Sequence, residues 1–146
     1  PLLALLLTRS RDSAGGMPAA GSGHTILLRS DGLAIAFGDD DGRQSTSPEL
    51  ESGASYVHVA AGWYHTLRLR HDGRAVACGD NDRSQCAIPE LEDGVSYCQA
   101  SGGVAHTVLL RSDGKAVACG DNEFGQRDLP ELLPGASYVR VVAGGQ

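Results

Sequence analysis

Apolar and polar residues alternate in short runs along most of this chain, and turn-forming residues separate the runs. In the segment HTILLRS (24–30), every second side chain shares a face with His24, because successive side chains of a strand point to opposite sides. Asp31-Gly32 follows, and then a second apolar run, LAIAFG (33–38). Asp-Gly between two such runs is typical of a β-hairpin with a type I′ turn. The pattern therefore predicts a hairpin here, with the histidine face the more buried of its two faces.

The hairpin pattern occurs three times with a period of 41 residues. Several residue types recur in phase at that spacing: His24, His65 and His106; Asp31, Asp72 and Asp113; Pro48, Pro89 and Pro130; Tyr56, Tyr97 and Tyr138. A third alternating run, SYVHVAA (55–61), completes the first unit and predicts a third strand. A fixed period of this length is the signature of a repeat architecture.

The repeat divides the chain into a leader, residues 1–20, and a repeat domain, residues 21–146. The complete units and the start of a fourth are 21–61, 62–102, 103–143 and 144–146. Three short strands in each unit, with almost no helical pattern, predict an all-β fold. Two architectures fit such a repeat: a β-propeller, which arranges its blades radially, and a β-trefoil, which closes with three units.

The third unit carries three motifs that resemble the regulator of chromosome condensation repeat family. They are the Gly-x-x-His-Thr start, the Asp-Gly hairpin and the loop Gly-Asp-Asn-x-x-Gly-Gln, all within residues 103–126. The resemblance covers residues 21–146, although Ser84 replaces a glycine of the loop motif and unit one reads GDDDGRQ (38–44). It implies propeller blades rather than a trefoil. Because propellers of this family usually have about seven blades, it also implies a partial propeller of three blades.

Charge and hydropathy narrow the classes of partner. The chain has 12 basic and 18 acidic residues, a net charge of −6, whereas general nucleic-acid binding requires a basic surface. No run of 18 apolar residues occurs, so no membrane-spanning helix is expected. The apolar run PLLALLL (1–7) has three interpretations: the remnant of a targeting segment, an added strand, or a docking segment. Within it, Leu2 and Leu5 are candidates for contact with a partner.

The recurring histidines and aspartates are interpreted as structural residues. The histidines, His24, His65 and His106, lie on the strand face expected to be buried, where we expect a hydrogen bond to a neighbouring loop. The aspartates, Asp31, Asp72 and Asp113, are expected to form the hairpin turns. Cys78 and Cys119 occupy matching places in their units and are interpreted as small buried side chains.

No arrangement in the sequence predicts chemistry. Asp39-Asp40-Asp41-Gly42 lacks the ligand spacing and the later glutamate of a calcium-binding loop. The four cysteines form no CxxC pair, and neither a GxSxG nor a GxxxxGK[ST] motif occurs. We therefore expect no catalytic residue, no metal and no cofactor.

Positions that differ between the units are the candidates for recognition, because shared positions build the scaffold of a repeat protein. They cluster before each histidine and after each Gly-Asp pair, and four side chains stand out: Trp63, Tyr64, Arg83 and Phe124. Trp, Tyr and Arg are enriched where binding energy concentrates. The alternative for Trp63 and Tyr64 is that they fill a gap between two units.

These observations favour a non-catalytic protein–protein interaction scaffold. A partial array of β units leaves sheet edges and faces uncovered, so protein partners are expected to cover them. One alternative is an accessory subunit of a larger assembly, including one peripherally attached to a membrane. The resemblance implies two further alternatives, the recognition part of a HECT-type ubiquitin ligase and a guanine-nucleotide exchange factor for a small GTPase.

Overall fold

The computed structural model describes residues 19–145, and in this range the chain forms nine strands and no helix. The strands are β1 (Ala19–Ala20), β2 (His24–Leu28), β3 (Ala34–Gly38), β4 (Tyr56–Ala61), β5 (His65–Arg70), β6 (Ala75–Gly79), β7 (Tyr97–Gly102), β8 (His106–Arg111) and β9 (Ala116–Gly120). They form three antiparallel sheets, in the orders β1-β2-β3, β4-β5-β6 and β7-β8-β9, here called blades one, two and three. The predicted all-β, propeller-like fold with about three blades is confirmed for these residues.

All three predicted hairpins form, but the prediction of type I′ turns is wrong. A type I′ turn needs a positive φ at both central residues, and only the glycine has one: φ is 83° at Gly32, with 82° and 77° at its two counterparts. In blade one, Gly32 N donates to Arg29 O, and Arg29 N donates to Leu33 O. The loop is therefore a type I turn followed by a left-handed glycine. The Asp31 carboxylate supports it by accepting from Leu33 N at 3.2 Å.

The third strand of each sequence unit pairs with the following unit, not with its own hairpin. β4 pairs with β5, placing Tyr56 opposite Arg70 and Ala61 opposite Thr66, and β7 pairs with β8 in the same register. Each blade thus combines the last strand of one unit with the hairpin of the next. In blade one this place is held by β1, which lies within the predicted leader. The segment 138–143 has the equivalent place in the sequence of the third unit, but it forms no strand and pairs with none of the described strands.

The apolar core lies between successive blades. The clusters at the two interior joints consist of Ile26, Ala34, Tyr56 and Val59, and of Ala60, Leu67, Leu69, Tyr97, Ala100 and Leu109. Full burial of a large apolar side chain stabilises a fold by about 1.5–3 kcal/mol. Burial of apolar side chains between blades therefore stabilises the array in addition to the strand pairing within each blade.

Both faces of β5 and β8 are buried, which corrects the expectation that the histidine face is the more buried one. In β5, His65 and Leu67 on one face are inaccessible, and so are Thr66 and Arg68 on the other. The first face packs on blade three and the second on blade one. Blade one differs, because Leu27, in the position of Arg68, is 40% exposed.

No helix among residues 19–145 is long and apolar enough to cross a membrane.

Candidate functional site

The variable loops gather at one end of the three blades. Because His65 pairs with Gly79 and His106 with Gly120, the turn before each histidine lies beside the loop that follows each hairpin. We call this end the histidine rim; it comprises residues 21–24, 38–45, 62–65, 79–86, 103–106 and 120–127. Backbone hydrogen bonds join its parts: Asp80 N donates to Tyr64 O at 2.8 Å within blade two.

Each of the first two histidines reaches across to the next blade. His65 Nε2 lies 3.0 Å from Thr107 Oγ1, and His24 Nε2 lies 2.7 Å from Thr66 Oγ1. Thr107 Oγ1 in turn donates to the Gln85 carbonyl at 2.8 Å. Since the single hydroxyl hydrogen is used there, the threonine oxygen accepts from the histidine. The imidazole therefore carries its proton on Nε2.

These histidines are held neutral. Burial lowers the pKa of His65 to about 4, and it also lowers the pKa values of His24 and His106 from their ordinary value. The Nδ1 atoms of His24 and His65 are buried without a hydrogen-bond partner, so a second proton there would have no acceptor. A buried neutral imidazole whose one proton is already donated has no free proton to transfer.

A glycine before each histidine makes room for the ring. A Cβ on Gly62 would lie 2.0 Å from His65 Cε1, and one on Gly21 or Gly103 would meet its own histidine just as closely. No side chain fits in that space. The Gly-x-x-His spacing, which the sequence analysis noted only as a motif, is therefore a packing requirement.

A glutamine clamps each loop that follows a hairpin. Gln85 Nε2 donates to Asp80 Oδ2 at 2.9 Å, and Gln85 Oε1 accepts from Arg83 N at 2.9 Å. Gln126 makes the same two contacts in blade three. In blade one, Gln44 Oε1 accepts from Gly42 N, whereas its Nε2 has no partner. Gln44 and Gln85 are buried and Gln126 is half-buried. These glutamines were not singled out from the sequence, although the loop motif ends on this residue.

Of the six predicted contact residues, three are large exposed side chains on the histidine rim. Trp63 is 50% exposed, Phe124 is 68% exposed, and Tyr64 packs edge-on against Trp63 with 6.2 Å between ring centroids. Arg83 is bound across the joint, with Nη1 3.2 Å from Asp121 Oδ1 of blade three. The backbone of Trp63 also links blades, because its nitrogen donates to the Gly103 carbonyl at 3.1 Å. Exposure of both rings disfavours the alternative that they only fill a gap between units.

The opposite end of the blades is built from arginine–aspartate pairs. Arg70 Nη2 lies 2.9 Å from Asp72 Oδ2. Arg111 Nη2 lies 2.7 Å from Asp113 Oδ2, and the guanidinium holds the pKa of that carboxyl below its usual range. Arg29 and Asp31 form the corresponding pair. The sequence analysis assigned these aspartates to turns but missed the arginine two residues before each, which recurs with the same period.

The described residues contain no cluster of three or more His, Cys, Asp or Glu side chains placed to hold a metal ion. In the Asp39-Asp40-Asp41 loop, two carboxylates accept from backbone nitrogens: Asp39 Oδ1 from Asp41 N and Asp40 Oδ1 from Ser45 N. Cys119 is buried and Cys78 half-buried, both as free thiols. Leu2 and Leu5 lie outside the described residues.

A family model described as the regulator of chromosome condensation (RCC1) repeat matches residues 56–85 and 97–126. Each match runs from the first strand of a blade to the clamping glutamine, so the matched repeats coincide with blades two and three. A search of curated proteins finds no match to this chain.

Several solved structures have similar folds. Among them are Prp20p from Saccharomyces cerevisiae (TM-score 0.67, 22% identity, 79% of this chain and 32% of that one), human WBSCR16 (0.67, 21%, 87% and 39%) and the ectodomain of the Arabidopsis thaliana receptor kinase ACR4 (0.62, 21%, 92% and 44%). Identities this low show a shared fold alone. This chain spans less than half the length of each of them.

Proposed function

Because residues 56–85 and 97–126 match the model of the regulator of chromosome condensation repeat, we propose that this chain is a non-catalytic protein-interaction scaffold that binds its partner through the histidine rim. The observation that carries the proposal is the exposure of Trp63, Tyr64 and Phe124 together at that rim. Exposed aromatic side chains on rigid loops bury large areas at low entropic cost, and they dominate binding energy in protein interfaces.

The charge around these rings favours a partner surface that contains arginine or lysine. Exposed carboxylates lie in the same loops: Asp40, Asp41, Asp82 and Glu123. An aromatic face beside carboxylates attracts a cationic side chain both by charge and through the ring quadrupole. The net charge of −6 acts in the same direction over longer range.

The shared positions have a different role in this proposal. His24, His65 and His106, and Asp31, Asp72 and Asp113, maintain blade geometry rather than contacting a partner. Their burial or their local ion pairs support this assignment. Leu2 and Leu5 remain proposed contact residues on the strength of the sequence alone.

Protein partners are also described for one structural neighbour. Prp20p was characterised together with its binding to Gsp1p and histones, and yeast Prp20 was solved bound to Kap60. For this chain, these facts support only the class of partner, a protein.

Partner binding at the histidine rim is tested by comparing the proteins that the chain and its variants capture. The tagged chain is compared with a variant carrying Trp63→Ala and Phe124→Ala, and with Leu133→Ala, which removes an exposed apolar side chain outside the rim. We expect proteins captured by the unaltered chain to fall at least tenfold with the rim variant and to stay constant with Leu133→Ala, while thermal melts of all three agree. Equal capture by the rim variant would contradict the proposal.

A nucleotide-exchange assay tests the proposed absence of catalysis. Guanine-nucleotide exchange is the activity that the resemblance to the repeat family implies as an alternative. Labelled GDP is loaded on a panel of small GTPases, and its release is followed with and without this chain at catalytic concentration. We expect no acceleration, with EDTA-stimulated release as the positive control. Accelerated release from any member of the panel would show that the chain is an exchange factor.

A further inference from the structure

The joint between blades one and two contains a buried positive charge. Arg68 is inaccessible to solvent, and leucine holds its place in the other two blades. Among residues 19–145, no carboxylate forms an ion pair with its guanidinium. Arginine stays protonated in proteins, and a buried charge is costly unless an opposite charge compensates it. Within the described part of the chain, this joint therefore holds a cation without a carboxylate partner.

The guanidinium of Arg68 points at a thiol. Its Nη1 donates to Cys78 Sγ at 3.0 Å, and its Nη2 donates to Thr46 O at 3.3 Å, while no described atom accepts from its Nε. The two side chains lie on the same face of adjacent strands, since Cys78 pairs with Thr66, two residues before Arg68. Cys78 Sγ itself donates to Thr46 O at 3.0 Å. In the unreacted chain, Cys78 is therefore a thiol that accepts a hydrogen bond from the cation.

The two titratable groups beside this thiol are held neutral. The Tyr56 ring lies 6.0 Å from the guanidinium carbon of Arg68, and burial raises the pKa of the Tyr56 hydroxyl. Cys86 is a second thiol near Cys78, and burial raises the pKa of Cys86 to about 12. A guanidinium in contact with a thiol stabilises the thiolate. Loss of the Cys78 proton therefore supplies the counter-charge that Arg68 lacks.

Blade three contains the same thiol without the cation. Cys119 is the counterpart of Cys78, and Leu109 stands in the place of Arg68. Cys119 is buried, its Sγ donates to the Gln85 carbonyl at 3.5 Å, and burial raises its pKa. The chain thus provides two matched cysteines, of which only one has a guanidinium at its sulfur.

We propose that Cys78 is a modification site at which a peroxide oxidises the thiol to a sulfenic acid, with Arg68 as the activating residue. Reactive cysteines combine a positive neighbour with partial exposure. Cys78 is half-buried and lies beside the exposed Thr46. A molecule as small as hydrogen peroxide can therefore reach its sulfur from the edge of the joint.

The proposed reaction balances with hydrogen peroxide as the only oxidant. The Cys78 thiol first loses its proton to water, which leaves a thiolate paired with the Arg68 guanidinium. The sulfur then attacks one peroxide oxygen, so that an S–O bond forms, the O–O bond breaks, and the departing hydroxide takes up a proton to become water. The sulfur is oxidised by two electrons and the peroxide is reduced. Arg68 Nη1 is already placed to donate to the sulfur before the attack.

The proposal is tested by measuring sulfenic acid formation at each cysteine of the full chain. The chain is treated with hydrogen peroxide, dimedone traps the sulfenic acid, and peptide mass spectrometry gives the labelling rate at each site. We expect Cys78 to be labelled at least tenfold faster than Cys119. Arg68→Leu should slow the labelling of Cys78 about tenfold and leave that of Cys98, an exposed thiol on β7, unchanged. Arg68→Lys keeps the positive charge and should retain more of the rate than Arg68→Leu.

Thermal melts confirm that each variant is folded, and the comparison of Cys78 with Cys119 needs no variant at all. Equal labelling of these two thiols in the unaltered chain would overturn the proposal. So would unchanged labelling of Cys78 in Arg68→Leu, while equal rates in the leucine and lysine variants would show that the charge of Arg68 does not activate the thiol. The assay contains no partner protein, so its result is independent of binding at the histidine rim.

Discussion

His65 donates from Nε2 to the hydroxyl oxygen of Thr107, which lies 42 residues later in the next blade, at 3.0 Å. The same threonine donates to the Gln85 carbonyl, so one hydroxyl joins a strand and a loop of blade two to blade three. His24, Thr66 and the carbonyl of Gln44 repeat the arrangement one joint earlier. This relay is the polar part of an otherwise apolar joint.

Removing either end of the relay should weaken the fold. His65→Ala and Thr107→Val are each expected to lower the free energy of unfolding by about 1–3 kcal/mol, because each leaves a buried polar group unpaired. The double variant should lose less than the sum, with a coupling of about 1 kcal/mol. Urea denaturation measures all three. Asp93→Ala, at an exposed site, is the control, and additive losses would show that the two residues do not interact.

Gly62→Ala tests the space that the imidazole occupies. The added Cβ would lie 2.0 Å from His65 Cε1, so the ring must move and its bond to Thr107 is lost. We expect a loss of about 2–4 kcal/mol, seen as a lower denaturation midpoint. Gly144→Ala is the matched control, because a Cβ there meets nothing within 4 Å. A Gly62→Ala chain as stable as the Gly144→Ala chain would disprove the packing role.

Ser84→Gly should stabilise the chain. Ser84 has a φ of 63°, in the left-handed region that disfavours residues with a Cβ, and the same place in blade three is held by Gly125 with a φ of 76°. Relief of this strain should exceed the entropy that glycine adds to the unfolded chain, giving a gain of about 0.5–1 kcal/mol. The reciprocal change Gly125→Ser should cost a similar amount. A lower melting temperature for Ser84→Gly, or a higher one for Gly125→Ser, would contradict this explanation.

Stability should fall as the pH drops from about 6.5 to about 4. His65 has a pKa of about 4 in the folded chain and 6.5 when unfolded, so between these values the unfolded chain binds more protons. The contribution of neutral His65 to the free energy of unfolding is therefore fully present above pH 6.5. It is lost as the pH falls toward 4, by up to about 3 kcal/mol. Burial shifts the pKa values of His24 and His106 in the same direction. Denaturation at pH 7.5 and 4.5 should show a smaller change in His65→Ala than in the unaltered chain, and an equal change would exclude His65 as the source.

Arg68→Leu should raise the stability of the chain. The Arg68 guanidinium is inaccessible, and among the described residues it is bound only by Cys78 Sγ and the Thr46 carbonyl, with its Nε unpaired. It also lies 6.0 Å from the Tyr56 ring. Leucine occupies this position in the other two blades. Replacing buried ionic groups by well-packed apolar side chains is often neutral or stabilises a protein by about 1–4 kcal/mol. The reverse change, Leu109→Arg, is expected to destabilise, and a loss of stability in Arg68→Leu would show that the guanidinium contacts outweigh its desolvation.

The sequence determined whatever depends on neighbouring residues. The hairpins at Asp31, Asp72 and Asp113 follow from a turn signal between two apolar runs, and strands and turns are local in the chain. The period of 41 residues established that the chain is built from repeated units before any contact was known. The position of Trp63 and Phe124 at one end of the blades also follows, because Trp63 precedes the first strand of a hairpin and Phe124 follows the second strand of the equivalent hairpin. Their exposure did not follow from the sequence.

Tertiary structure alone decided which strands pair and which faces are covered. The run 55–61 follows one hairpin and precedes another of the same sequence pattern, so no local signal distinguishes its two partners. The inaccessible Arg68 and the exposed Leu27 occupy the same place in their strands, and their burial depends on whether another blade packs on that face. The turn type was not determined by the sequence either. Asp-Gly is compatible both with a type I′ turn and with a type I turn followed by a left-handed glycine. Contacts between blades are made by residues about 40 positions apart. The energy of these contacts decided which strands pair and which faces are buried, but not the type of turn.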